Sequence, residues 1–275
     1  MNYDYISFIN RIRRKPILIA PGAYDALSAR LIEHIGFEAI YIGGASASYS
    51  LLGMPDLGFI TFDRMSDHIS RIRQVTSLPL ICDADTGYGN EDNIRYVVKT
   101  YEKIGCIAIQ IEDQVWPKKC GHLSNKEVTH VKEMVLRIKA ALSARKEAII
   151  IARTDAIDPL GINEAIERAN IYLEEGADVA FIEAPRNINE IERISKEVKG
   201  LKMINMVEGG ITPLLSAKKL EEMGFSIVIY PGSAIRAAAK AVITMLSILK
   251  DTGSTKDFIE NMVQFNDLQK FLYKP

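Results

Sequence analysis

The stretch LPLICDADTGYGNEDNIRYVVKTYEKIGCIAIQIED, residues 78–113, decides the fold. It opens on a short apolar run, LPLICDAD (78–85), and closes on another, IAIQIED (107–113). Between them Asn90 is a plausible helix N-cap, and the amphipathic segment that follows stops at Gly105. Near-continuous apolar runs of this length suit parallel strands buried on both faces. The unit therefore reads strand–helix–strand.

The same alternation extends outward in both directions. Upstream lie PILIAPG (16–22) and AIYIGG (39–44), with YDALSARLIEHIG between them presenting Leu27, Leu31 and Ile35 at spacing four. Downstream come AIIIARTD (148–155), VAFIEAP (179–185), KMINMVEGG (202–210) and SIVIYPG (226–232). The segment INEAIERANIYLEEGA carries Ile162, Ile166 and Tyr172 on one face and ends at Gly176. The longer connection 44–78 is expected to hold a loop with GMPDLG and one helix. Eight strand–helix units in roughly 230 residues predict an α/β fold, a (β/α)8 TIM barrel. A doubly wound open sheet shares the alternation, but the first turn, APGAYD, is not a GxGxxG turn. No composition shift marks a second domain, so residues 1–275 read as one barrel domain with 252–275 as a C-terminal helical extension. AIRAAAKAVITMLSILK is the expected closing helix. TKDFIENMVQFNDLQKFL is an extra one, with Phe258, Met262, Phe265, Leu268 and Leu272 at helical spacing, packing on its own barrel or on a neighbouring subunit.

The bulk chemistry excludes several classes. A formal charge of −1 gives no field that would favour nucleic acid or an anionic membrane. No apolar run approaches the ~20 residues of a membrane span, and the N-terminus lacks a signal-peptide core. Cys82, Cys106 and Cys120 have no paired spacing, which suits a reduced, cytoplasmic protein and no zinc site.

In such a barrel chemistry sits at the C-terminal ends of the strands. Asp83, Asp85, Glu112, Asp113, Arg153, Asp155, Glu183, Asn205 and Glu208 all fall there. Asp113 and Asp155 are read as helix caps or loop ions. Asp83, Asp85 and Glu112 converge from adjacent strands, the i, i+2 spacing placing the two aspartates on one side of an extended segment. Three carboxylates in one partly dry place repel, and a hard divalent cation, Mg²⁺ rather than a caged Ca²⁺, relieves that. The segment from Gln114 to about Asn125 is long for a βα connection and reads as a lid. Trp116 and Pro117 anchor its stem, and Gly121 is its hinge. Lys118 and Lys119 bring positive charge for an anionic substrate. Cys120 acts as proton donor or nucleophile, with His122 to orient it.

KKCGH (118–122), with DADTGYG upstream and ARTDA downstream, resembles the isocitrate lyase/phosphoenolpyruvate mutase superfamily, in particular its short lyases for 2-methylisocitrate and 2,3-dimethylmalate. The likeness runs from PGAYDALSA to YPGSAIRAAAKA. It implies Mg²⁺-dependent carbon–carbon cleavage of a 2-hydroxy di- or tricarboxylate to pyruvate and a carboxylate, with Mn²⁺ as a substitute. On that resemblance Asp83, Asp85 and Glu112 hold the metal and Arg153 steadies the 2-oxygenated acid end. Tyr41, Gly43, Gly44 and Ala45 line the pocket, Tyr41 being the candidate base. Lys118, Cys120, Gly121 and His122 form the gate, Cys120 as general acid. Glu183, Asn205 and Arg236 meet the rest of the substrate. The resemblance further implies a homotetramer exchanging its C-terminal helix between barrels. Related chemistry on the same scaffold is oxaloacetate hydrolysis or decarboxylation, or phosphonate P–C chemistry, which the cysteine disfavours; a non-catalytic dicarboxylate-binding barrel is the remaining alternative. Four departures, NMVEGG (205–210), FIEAP, GGA (43–45) and the lack of an arginine near Phe265, resemble the dimethylmalate, alkylmalate and oxaloacetate-cleaving branch, and the missing arginine argues for a substrate with two carboxylates rather than three.

Overall fold

The computed structural model describes residues 4–272; the outermost residues of the expected 1–275 domain lie outside that range. Eight strands form one sheet: β1 Leu18–Pro21, β2 Ile40–Ile42, β3 Leu80–Asp83, β4 Cys106–Glu112, β5 Ile149–Thr154, β6 Val179–Ile182, β7 Leu201–Asn205 and β8 Ile227–Tyr230. All neighbouring pairs are parallel, in the order β1-β8-β7-β6-β5-β4-β3-β2. The ring closes between β1 and β2 through a bridge from Gly22 to Tyr41, where the Ala23 amide donates to the Tyr41 carbonyl at 3.0 Å. This is the expected TIM barrel.

Alternation along the strands sorts the side chains. Leu18, Ala20, Ile81, Ala108, Ile149, Ile151, Val179, Phe181, Met203, Ile227 and Ile229 fill the barrel. The helix Tyr5–Arg13 adds Phe8, Ile9 and Ile12 to the same cluster. Outward residues such as Leu80, Cys82, Ile109, Ile111 and Ile150 pack under the surrounding helices. β4 contains one irregularity: Leu80 pairs with Cys106, but Ile81 pairs with Ala108. Ile107 is the extra residue, and both it and Ala108 join the interior cluster.

Local signals hold in most helices. Asn90 caps Glu91–Ile104 by accepting from the Asp92 and Asn93 amides at 3.0 and 3.2 Å, and Gly105 ends it with φ 106°. Four expectations are corrected. The connection after β2 carries two helices, Gly44–Leu52 and Phe62–Arg73, because Gly53, at φ 62°, ends the first one. In Ala26–Ile35 the buried face is Ser28, Ala29 and Ile32, whereas Ile35 is exposed. The segment 256–272 is not one helix: a 3₁₀ turn, Lys256–Asn261, precedes a short helix, Phe265–Leu272. That short helix rests on its own chain, with Phe271 and His34 ring centroids 4.4 Å apart. The expected closing helix, Ser233–Thr252, has no buried residue and leaves Val242, Ile243, Leu246 and Leu249 exposed. Among the described residues no helix is long and apolar enough to cross a membrane.

Asp113 is structural, as expected, though not as a cap. Fully buried, it accepts from the Thr154 hydroxyl (2.7 Å), the Tyr172 hydroxyl (2.9 Å), the Asp155 amide (3.0 Å) and Arg168 (3.0 Å). Removing a buried charge that satisfies so many donors leaves the partner cation uncompensated. Asp113→Ala is expected to lower the unfolding free energy by about 3–5 kcal/mol. Asp67→Ala, in an exposed pair with Arg71, should cost less than about 1 kcal/mol. Urea titration of the two variants checks the contrast.

Candidate active site

The inward rows end in polar groups. Ile81 is followed two residues on by Asp83, Ala108 by Gln110 and Glu112, Ile151 by Arg153, Phe181 by Glu183 and Met203 by Asn205. Strand parity alone therefore aims these side chains at the same end of the barrel. All are buried.

Asp83, Asp85 and Glu112 bring one oxygen each within 4.8 Å of one another. The route differs from the expected one. β3 stops at Asp83, and Asp85 sits in a left-handed turn at φ 46°, its amide donating to Asp83 Oδ1 at 3.0 Å. Asp83 also accepts from Gln110 Nε2 (3.1 Å) and from the Gly44 amide (3.2 Å), at the first turn of the helix that follows β2. Burial pushes the Asp85 carboxyl up to about 6, countered in part by Lys118. Burial also raises Glu112 well above the carboxylate range, against the pull of Arg153. Both Glu112 oxygens lack a hydrogen-bond donor, although Arg153 Nη1 lies 3.2 Å from Oε2. A Cβ at Gly44 would stand 3.3 Å from both Asp85 Oδ1 and Lys118 Nζ, so glycine leaves the cluster open. Buried, unsatisfied carboxylate oxygens are the donor set that a hard divalent cation takes.

The segment 114–126 lies shut over this end. Its stem is fastened by Gln114, which exchanges two 2.9 Å hydrogen bonds with Lys119. The Cys120 amide donates to the Asp56 carbonyl at 3.2 Å. Lys118 bridges Asp56 Oδ1 and Asp85 Oδ1, both at 2.7 Å. Burial works against its ammonium, but Asp85 and Asp56 outweigh it and hold the pKa well above the ordinary lysine value. Gly121 has no room for a side chain: a Cβ would meet Arg153 Nη2 and Glu183 Cγ at 2.5 Å. Its carbonyl accepts from buried Lys126, whose Nζ also binds Asp155 Oδ1 at 2.9 Å. Asp155 in turn accepts two hydrogen bonds from Arg153, at 2.9 and 3.0 Å. Asp155 is therefore corrected from a cap or loop ion to the link between the lid and Arg153.

His122 Nδ1 accepts from the Ile211 amide at 3.1 Å, and its Nε2 lies 3.2 Å from Glu183 Oε1. Glu183 also accepts from Asn205 Nδ2 at 3.3 Å. Burial works against its carboxylate, yet Arg153 and His122 hold it below the usual range. Burial raises the pKa of the Cys120 thiol, only partly offset by the His122 amide.

These groups surround a cavity of about 310 Å³. Tyr41, Gly43, Gly44, Ala45, Asp83, Cys120, Gly121, His122, Arg153, Glu183 and Asn205 are among the residues of its wall. Lys118 and Asp85 stand beside Gly44, and Glu112 beside Arg153, just outside that wall. Two expected roles change. The Tyr41 hydroxyl donates to Gln110 Oε1 at 3.0 Å, and burial followed by Asp83 raises its pKa well above 10, which opposes service as a base. Arg236 is half-exposed at the mouth and occupied by Glu208, through its carbonyl and, at 3.4 Å, its carboxylate. The sequence reading passed over Asp56, Gln110 and Lys126. Gln110 was legible as the polar residue two before Glu112; Asp56 and Lys126 lie in loops with no periodicity to place them.

A barrel with a buried carboxylate trio under a thiol-bearing lid defines the class, and comparison with known proteins defines the family. The phosphoenolpyruvate phosphomutase family model matches residues 8–249. The chain belongs to that family. It is 44% identical over 259 residues to the 2,3-dimethylmalate lyase of Eubacterium barkeri, covering 92% of this chain and 90% of that one. It is 42% identical over 260 residues to the 2-methylisocitrate lyase of Aeropyrum pernix, covering 94% and 84%. A crystal structure of 2,3-dimethylmalate lyase superposes with a TM-score of 0.92 at 34% identity, covering 98% of this chain and 92% of the other.

Trp116 is the only tryptophan in the chain and lies in the lid against Gly58. Its emission is expected to shift when oxalate and Mg²⁺ are added together. Lys126→Met should weaken that shift and lower kcat/KM by about 10²-fold, the cost of a misplaced lid. Fluorescence titration beside steady-state kinetics reads both.

Proposed function

We propose that this chain is a carbon–carbon lyase that cleaves a 2-hydroxy dicarboxylate bearing a small alkyl group, giving pyruvate and a second carboxylate. The observation that carries the reading is the Cys120 thiol at the cavity wall, in a segment packed against Arg153 and Glu183.

Asp83, Asp85 and Glu112 would hold Mg²⁺, or Mn²⁺ in its place. Such an ion supplies Lewis-acid polarisation of the substrate's 2-oxygen. Arg153 orients the same end of the substrate and meets developing negative charge. A base of the site takes the 2-hydroxyl proton, the freed oxygen pair forms the carbonyl of pyruvate as the C2–C3 bond breaks, and the C2–C3 electron pair moves onto the departing carboxylate as an enediolate. Cys120 delivers the proton that converts it to the stable acid. Tyr41 acts through Gln110, whose amide supports Asp83, and not as the base. Lid closure keeps water from supplying the proton in place of Cys120.

Two features support a dicarboxylate. No arginine lies near Phe265, which removes one clamp for a third carboxylate, and Arg236 is paired with Glu208 at the cavity mouth. Tyr49, Val207 and Pro231 offer room for methyl groups there. We also infer a homotetramer. The helix that crosses to a neighbour on this reading is Ser233–Thr252, whose apolar residues have no cover of their own.

With Mg²⁺, pyruvate release is expected from 2,3-dimethylmalate in preference to 2-methylisocitrate and oxaloacetate, and EDTA should abolish it. Cys120→Ala should cut kcat by ~10²–10⁴-fold while oxalate still binds. The acid must carry its proton, so activity is lost as pH rises through its pKa. A raised thiol pKa therefore moves the basic limb above the ordinary value of ~8.5. Turnover indifferent to chelator, or undiminished in Cys120→Ala, overturns the assignment. In light scattering, Ile243→Glu with Leu246→Glu should yield a species smaller than the wild-type assembly.

A further inference from the structure

Two cysteines take no part in that site. Cys82, in β3, and Cys106, the first residue of β4, both face outward into the layer beneath Phe62–Arg73 and Glu91–Ile104. Their sulfurs lie 2.9 Å apart. Cys106 sits diagonally to Cys82, because its strand partner is Leu80. Cys82 is fully buried, and Cys106 keeps 4% exposure. A separate cleft of about 540 Å³ opens at the N-terminal end of β4, with Cys106, Arg73 and Glu102 in its walls. Arg73 is held there by the Leu78 and Thr76 carbonyls and packs on Gly105, next to Cys106. Its guanidinium is thus held at the wall of the cleft that Cys106 lines.

We infer that Cys82 and Cys106 form a reactive dithiol that a hydroperoxide entering this cleft converts to a disulfide. Cys106, on the cleft wall, attacks one peroxide oxygen. The O–O bond breaks, the distal oxygen leaves as water or alcohol, and Cys106 becomes a sulfenic acid. The Cys82 sulfur then displaces hydroxide from the Cys106 sulfur, and the Cys82 proton leaves with it as water. Two electrons pass from the sulfurs to the peroxide, and a thiol reductant reverses the change. A disulfide needs sulfurs ~2.05 Å apart, so the two strands need little movement. Cys120, in the lid and on the other end of the barrel, has no thiol partner with which to do the same.

The test uses the full chain carrying Cys120→Ala, so that only the pair remains, with wild type run in parallel. Each is treated with hydrogen peroxide, quenched, denatured, alkylated and weighed intact, then peptide-mapped. The expected product has lost two hydrogens, takes up no alkyl group at 82 or 106 and yields a cross-linked peptide. Dithiothreitol should restore two alkylation sites. In Cys82→Ser the Cys106 sulfenic acid should persist and be trapped by dimedone. Full alkylation of both cysteines after peroxide overturns the inference, as does direct passage to sulfinic acid without a cross-link, or pairing of either cysteine with Cys120 in wild type.

Discussion

The organising constraint is the burial of several carboxylates at the tips of adjacent parallel strands. Asp83, Asp85, Glu112, Asp155 and Glu183 crowd one end of the barrel, and each pays a desolvation cost. Lys118, Lys126 and Arg153 are the cations set among them. Arg153 alone reaches Glu112, Asp155 and Glu183. The unsatisfied oxygens of Glu112 mark where that compensation is incomplete. A scaffold tolerates such a deficit where a ligand cation completes it.

The lid is bound to the same charges. Lys118 and Lys126 come from the lid segment, whereas Asp85 and Asp155 come from the strand ends. Opening the lid would therefore strip two cations from the carboxylate cluster as well as admit solvent. Closure and electrostatic balance are one event, and an anionic substrate enters a site whose charge changes with lid position. Asp56 extends the effect to the connection after β2, since it holds both Lys118 and the Cys120 amide.

The barrel was legible in the sequence because its strands are nearly unbroken apolar runs. The site was legible where strand parity governs it: Asp83, Glu112, Arg153, Glu183 and Asn205 all follow inward residues at spacing two. Asp85 was found through the wrong geometry, since a left-handed turn, not an extended strand, brings it round. Asp155 was misread because a carboxylate after a strand looks like a helix cap until its partner, Lys126, is placed in space. The segment after Thr252 was misjudged for a similar reason. Helical spacing of Phe258, Met262 and Phe265 is a local pattern, and it did not forecast the break between Asn261 and Phe265. Nor does periodicity say that Ser233–Thr252 lacks a home surface, because an apolar face reads alike whether its own barrel or another molecule covers it.

The extra residue in β4 has a consequence of its own. From Ala108 onward it sets the phase of the strand, so that Gln110 and Glu112 look into the barrel while Cys106 looks out. Were the strand paired regularly through Ile107, with Cys106 still facing out, the positions from Ala108 onward would trade faces: Glu112 would be driven into the oily layer under the helices, and Ile111 would take its seat at the rim. One residue left out of the ladder, with no reactive group on it, thereby decides whether this strand ends in chemistry or in grease.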